Sequence, residues 1–151
     1  MNGSMFRQIS QLLLLVCMTS PLAAWAAGEP FTKFGDYTVV HTVFTSDFIP
    51  PKVAKAYNLV RAKDRALVNV SIVKNNAGDD MRGLAAEVSG TVVNLMQQQK
   101  TLEFIEINES DAVYYLAPLR IHHEEVLHFN LTLEHDGKQY DVKFTKKLYI
   151  D

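Results

Sequence analysis

Residues 127–144 read LHFNLTLEHDGKQYDVKF. Leu127, Phe129, Leu131 and Leu133 alternate with His128, Asn130, Thr132 and Glu134, and Tyr140, Val142 and Phe144 resume the same spacing. A period of two places the apolar side chains of each run on one face of a strand. Between the runs, His135-Asp136-Gly137-Lys138 carries an Asp-Gly pair, which supplies the positive φ angles of a tight hairpin. The stretch therefore predicts two antiparallel strands, at 127–134 and 139–150, each with one buried face.

Upstream the alternation recurs. Tyr37 to Thr45 places Tyr37, Val39 and Val43 on one face and Val40 and Phe44 on the other. Ala66 to Lys74 alternates Val68, Val70 and Ile72 with Asn69 and Ser71, and the turn formers Asn75 to Asp80 close it. Ala85 to Leu95 turns Val88 and Val92 inward, with Gly90 marking a bulge or a close contact. Thr101 to Ile107 reads as a fourth strand, and Ala112 to Ala117 as a fifth that Pro118 ends. Helix is scarce. Pro50-Pro51 followed by Lys52 to Tyr57 predicts one or two turns, seated by Val53 and Tyr57 and stopped at Asn58. Seven short strands with short connections predict an all-β fold: an antiparallel, Greek-key, immunoglobulin-like sandwich with one short helix.

The N-terminus is of another kind. Arg7 is its only charge, Leu12 to Met18 is apolar, and Ser20-Pro21 precedes Ala24-Trp25-Ala26. That order matches a secretory signal peptide with an A-x-A cleavage site. The apolar run falls short of the ~20 residues that cross a bilayer. Residues 1–26 are expected to leave, and 27–151 to form a single β-sandwich domain in the periplasm, soluble after cleavage. Cys17 offers a lipoprotein variant, but Val16 before it is larger than lipid attachment favours. Cys17 is the only cysteine, so the exported domain has no disulfide and depends on core packing in an oxidising compartment.

Of 15 basic residues Arg7 departs with the signal, and 17 acidic ones stay, which leaves a net charge of −3. Nucleic-acid binders carry basic faces, so that balance argues against a nucleic-acid partner. No second apolar run is long enough to span a membrane.

Several strings carry a resemblance over essentially the whole exported chain. They are Ser46 to Pro50, Val53 to Tyr57, RAKDRALVNVS at 61–71, DAVYYLAP at 111–118, Glu125 to Phe129, and Phe144 to Asp151. Together they resemble the bacterial domain-of-unknown-function family 4426. The resemblance implies a periplasmic protein of Gram-negative bacteria. It brings no catalytic or ligand residue with it.

Two clusters could carry function. His122-His123-Glu124-Glu125, with His128 nearby, has metal-ligand chemistry. Its spacing matches no helical metal motif, and on a strand His128 points away from Leu127 and Phe129. It stands as the alternative reading, a metal-binding or small-ligand carrier using His122, His123 and His128. The second cluster is basic: Lys52, Lys55, Arg61, Lys63 and Arg65, with Asp64 and Tyr57 among them. An aromatic beside planar cations suits a protein partner or an anionic envelope component, so Tyr57, Arg61, Asp64 and Arg65 form the candidate binding site. An acidic stretch, Glu103, Glu106, Glu109 and Asp111, opposes it. No Gly-x-Ser-x-Gly or phosphate-cradling glycine loop is present, and the one thiol, Cys17, is expected to leave with the signal. The expected function is thus a non-enzymatic binding module of the cell envelope, with an envelope protein as possible partner and no cofactor.

Overall fold

A computed structural model describes residues 28–78 and 80–150; the expected signal peptide, residues 1–26 with Cys17, lies outside them. Among the described residues nine strands form two antiparallel sheets: β1 (Phe31–Phe34), β2 (Tyr37–Thr45), β3 (Arg65–Lys74), β4 (Glu87–Asn94), β5 (Gln99–Leu102), β6 (Ile105–Glu109), β7 (Ala112–Arg120), β8 (Glu125–His135) and β9 (Lys138–Leu148). The five-stranded sheet runs β1-β2-β3-β7-β6, and the four-stranded sheet β5-β4-β8-β9. A 3-10 turn at Ser46–Phe48 and the helix α1 (Pro51–Ala56) occupy the connection from β2 to β3.

The architecture is the expected all-β sandwich, and the alternation explains its core. Leu127, Phe129, Leu131 and Leu133 of β8 are all buried, as are Tyr140 and Val142 of β9. The hairpin between them pairs His135 with Lys138, and Asp136 and Gly137 both take positive φ. From the other sheet Val39, Ala66, Val68, Val70, Ile72 and Ala117 close the core. Gly90 is a close contact: a Cβ there would stand 2.7 Å from Leu131 Cδ2 and 2.9 Å from Asn130 O.

The strand count differs from the expected seven. β1 follows from Gly35, whose φ of +54° turns the chain back into β2. The run expected as one strand at 101–107 is two strands in opposite sheets, β5 and β6. β7 passes through Pro118 rather than ending there. β6 pairs with β7 only as far as Leu116, so at Pro118 one side of β7 is open, the setting in which a sheet tolerates proline.

The connection carrying α1 folds over the outer face of the five-stranded sheet. Ile49, Ala54 and Leu59 pack there with Leu67, Ile107 and Leu116, joined by the partly buried Tyr57 and Tyr114. Asn58 stops the helix at φ +53°. Among the described residues no helix is long and apolar enough to cross a membrane.

Candidate functional site

The residues picked out on the α1 connection are tied into the fold. Ser46 is 1% exposed; its Oγ accepts from Ala62 N (2.9 Å) and lies 2.7 Å from Val60 O. Arg61 Nη2 donates to the main-chain oxygen of Asp47 at 2.6 Å. The carboxylate of Asp64 pairs with Arg120 at 3.3 Å, and its main-chain oxygen accepts from Ile121 N at 3.0 Å. Arg65 opens β3 opposite Arg120. Tyr57 packs on the apolar layer under α1, beside Tyr114, whose hydroxyl burial and the nearby Glu109 push to a higher pKa. Tyr57, Arg61 and Asp64 thus share one connection, with Arg65 at its end, and Arg61 and Asp64 spend their polar groups on holding it.

The histidines do not converge. His122 Nδ1 lies 3.3 Å from Glu125 Oε2, which also accepts from His122 N at 2.9 Å. His123 Nδ1 accepts from Ile150 N at 3.2 Å, and its ring stands edge-on to Tyr149. His128 Nδ1 meets Thr145 Oγ1 at 2.7 Å, across the β8–β9 pair. Among the described residues no three His, Cys, Asp or Glu side chains stand close enough to hold a metal ion.

The sequence reading missed a cleft of about 910 Å³ between the edges of the two sheets, where β1 and β2 face β9. Gly28 to Thr32 line one lip, with Glu29 the one acid of the lining, His41 to Val43 form the wall, and Lys143 to Lys147, with three cations, the other lip. His41 lies at the inner end. It is 5% exposed, its ring stacks on Phe144 at 4.4 Å, and Phe144 stacks on Phe129 at 4.8 Å. Its Nε2 lies 3.2 Å from Thr32 Oγ1. Burial holds the imidazole below its ordinary pKa of 6.5, which keeps it neutral at pH 7.

The cations come from β9. Its register with β8 is unbroken from Glu125–Leu148 to His135–Lys138, so Lys146 shares the inward face of Tyr140, Val142 and Phe144. Lys143 and Lys147 lie on the outward face of the same lip. Lys147 pairs with Glu124 at 3.7 Å, whereas Lys143 and Lys146 make no ion pair with a described residue. The result is a cationic lip over an aromatic floor with a neutral imidazole and a hydroxyl. Such a surface offers a ligand charge, a flat ring and a hydroxyl. The signal for it lay in parity: His41 falls in phase with Val39 and Val43, and Lys146 in phase with Val142 and Phe144.

The fold is a two-sheet antiparallel sandwich with a cleft between sheet edges. The chain belongs to the family described as Domain of unknown function (DUF4426), whose model matches residues 31–151. It is similar to the crystal structure of a DUF4426 family protein of Pseudomonas aeruginosa PAO1, with 32% identity, 80% of this chain and 94% of that chain covered, and a TM-score of 0.72. It is also similar in fold to FetP of uropathogenic Escherichia coli strain F11, a protein recombinantly expressed in the periplasm. The identity there is 14%, with 79% and 92% covered and a TM-score of 0.56. A copper-bound variant of FetP aligns at 14% identity, 78% and 92% coverage, and a TM-score of 0.55. No curated protein matches the chain.

Proposed function

We propose that the chain is an exported, non-enzymatic binding module of the cell envelope, and that it takes an anionic envelope component in the cleft between β1–β2 and β9. The observation that carries this reading is the placement of Lys143 and Lys146, without a described acidic partner, beside the His41–Phe144 stack. In a domain of net charge −3 this is a local cationic feature that draws an anion to one place. The aromatic floor takes the apolar part of the ligand. Export rests on the order of residues 1–27, and it fits a fold shared with a protein expressed in the periplasm.

A copper site borrowed from FetP does not fit the donors here. His41 meets a hydroxyl and a phenyl ring, and the other described histidines are held apart by separate partners. A second binding reading has its own observation. Phe48 and Val60 are 79% and 58% exposed, and the bonds of Ser46 and Arg61 hold their segments together. That makes the connection bearing Tyr57, Arg61, Asp64 and Arg65 an alternative docking surface for a protein.

In-cell photo-crosslinking tests both. A benzophenone side chain is placed at Phe31, at Phe48, or at the exposed Met81 as control. Adducts at position 31 that vanish on Lys143→Glu with Lys146→Glu are expected. Adducts confined to position 48 transfer the function to the α1 connection. Equal labelling at all three positions overturns both readings.

A further inference from the structure

β9 spans eleven residues and is paired on one side only, by β8. Among the described residues no strand covers its other side. The backbone N–H and C=O groups along such an edge are a template for another strand. The cleft runs along the C-terminal half of that edge, Lys143 to Lys147. The facing wall is open too. β1 pairs with β2 only from Tyr37 to Val40, so Thr42 to Thr45 have no described strand on that side.

We propose that the cleft receives an extended acidic segment of another protein, which adds to β9 as a fifth strand of the four-stranded sheet. This rests on the cleft being the binding surface and names its occupant. The charges choose between occupants. Lys143, Lys146 and Lys147 fall in five consecutive residues that contain no acid. A second copy of β9, antiparallel and centred on Thr145, would set Lys143 against Lys147. Like charges facing each other across a strand pair repel, and opposite charges attract. In that register, the one that pairs the cleft-lining residues with each other, the edge disfavours a second copy, whereas a strand bearing carboxylates opposite Lys143 and Lys146 is attracted. Opposite Phe144 an apolar side chain would continue the stack with His41 and Phe129. Backbone pairing would give affinity, and the alternate side chains the selection, as in other strand-addition complexes.

The test uses the processed chain and an eleven-residue synthetic peptide with a Glu-Glu-Thr-Phe-Glu centre. Two further versions are N-methylated on one or the other alternate set of backbone amides. Strand addition predicts that one N-methylated version binds at least about tenfold more weakly, and that the other keeps the parent's affinity. It also predicts slowed amide exchange along β9 on binding. Equal binding by all three peptides overturns strand addition. If Lys143→Glu with Lys146→Glu still weakens that equal binding, the anionic cleft itself stands. No binding by any of the three overturns the peptide assignment, and the crosslinks from position 31 then decide the cleft independently.

Discussion

Gly83 sits where the chain between β3 and β4 threads beside β3 and β7, and alanine at this position probes the five-stranded sheet at its tightest point. A Cβ on Gly83 would stand 2.0 Å from Val113 O, 3.1 Å from Val113 C and 3.4 Å from Ser71 Cβ. Carbon–oxygen contacts in sheets begin at about 3.3 Å, so the segment must retreat on the order of 1 Å from β7. The atom it meets is backbone, and no rotamer change relieves the contact. Two hydrogen bonds depend on the present position: Val113 N to Gly83 O at 3.0 Å and Leu84 N to Ile72 O at 2.8 Å. Losing them costs roughly 0.5–1.5 kcal/mol each, and the overpacking a further ~1–3 kcal/mol. Restricting the unfolded chain returns only ~0.4–1 kcal/mol. The net loss is about 2–5 kcal/mol, which lowers the melting temperature by roughly 10–20 °C in a domain of this size. Thermal circular dichroism of Gly83→Ala beside the parent measures it, with Gly28→Ala as comparison, since a Cβ there meets nothing within 4 Å and the backbone is not left-handed. A Gly83→Ala protein within ~0.5 kcal/mol of the parent, the ordinary range of harmless surface changes, refutes the close approach.

Three other outcomes follow from the structure. Phe129→Ala removes a ring that is 1% exposed and stacked on Phe144, and should cost ~3–5 kcal/mol in urea unfolding; a loss under ~1 kcal/mol would reject its place in the core. His41 has a native pKa below its ordinary 6.5 because of burial, so the unfolded chain binds more protons between the two values and stability falls as pH drops from 6.5. The parent should therefore lose more urea resistance between pH 8 and pH 5 than His41→Gln does, and equal losses would remove His41 as the cause. Cleavage after Ala26 should give an intact mass beginning at Ala27 in the periplasmic fraction, and an uncleaved cytoplasmic chain would end the export reading.

The sheets were readable wherever alternation was regular. β2, β3, β8 and β9 lie within two residues of the expected runs, and the inward residues of β8 are the ones named from the pattern. The error at 101–107 has a physical trace in the residues themselves. Leu102 and Phe104 share one parity and join the main core, whereas Ile105 and Ile107 share the other and join the layer under α1. The phase slips by one between Phe104 and Ile105, which is where the chain crosses from one sheet to the other. A single strand would have put Phe104 and Ile105 on opposite faces of one sheet. β1 was missed because four residues give too little alternation to stand out from a loop. Its one signal was Gly35.

The cleft was harder to see because it depends on which strands face each other, and sheet order is not written in any one segment. Its residues nevertheless break a local rule. Arg61, Asp64, His122 and His123 are polar in connections, where polarity is expected, and the first three of them turn out to serve those connections through partners nearby in the chain or on the next strand. His41 and Lys146 interrupt apolar runs on their strand faces, His41 between Val39 and Val43 and Lys146 between Phe144 and Leu148. A single such break is a cost that core packing must absorb. Two breaks, on strands that the topology sets opposite each other, leave the sandwich unable to close along that side, and the space between them is the cleft. Natural sequences break their own patterns chiefly where function requires it. The parity of His41 and Lys146 therefore argues for the cleft over the loops as the working surface, and β9 supplies both its cations and its unpaired edge.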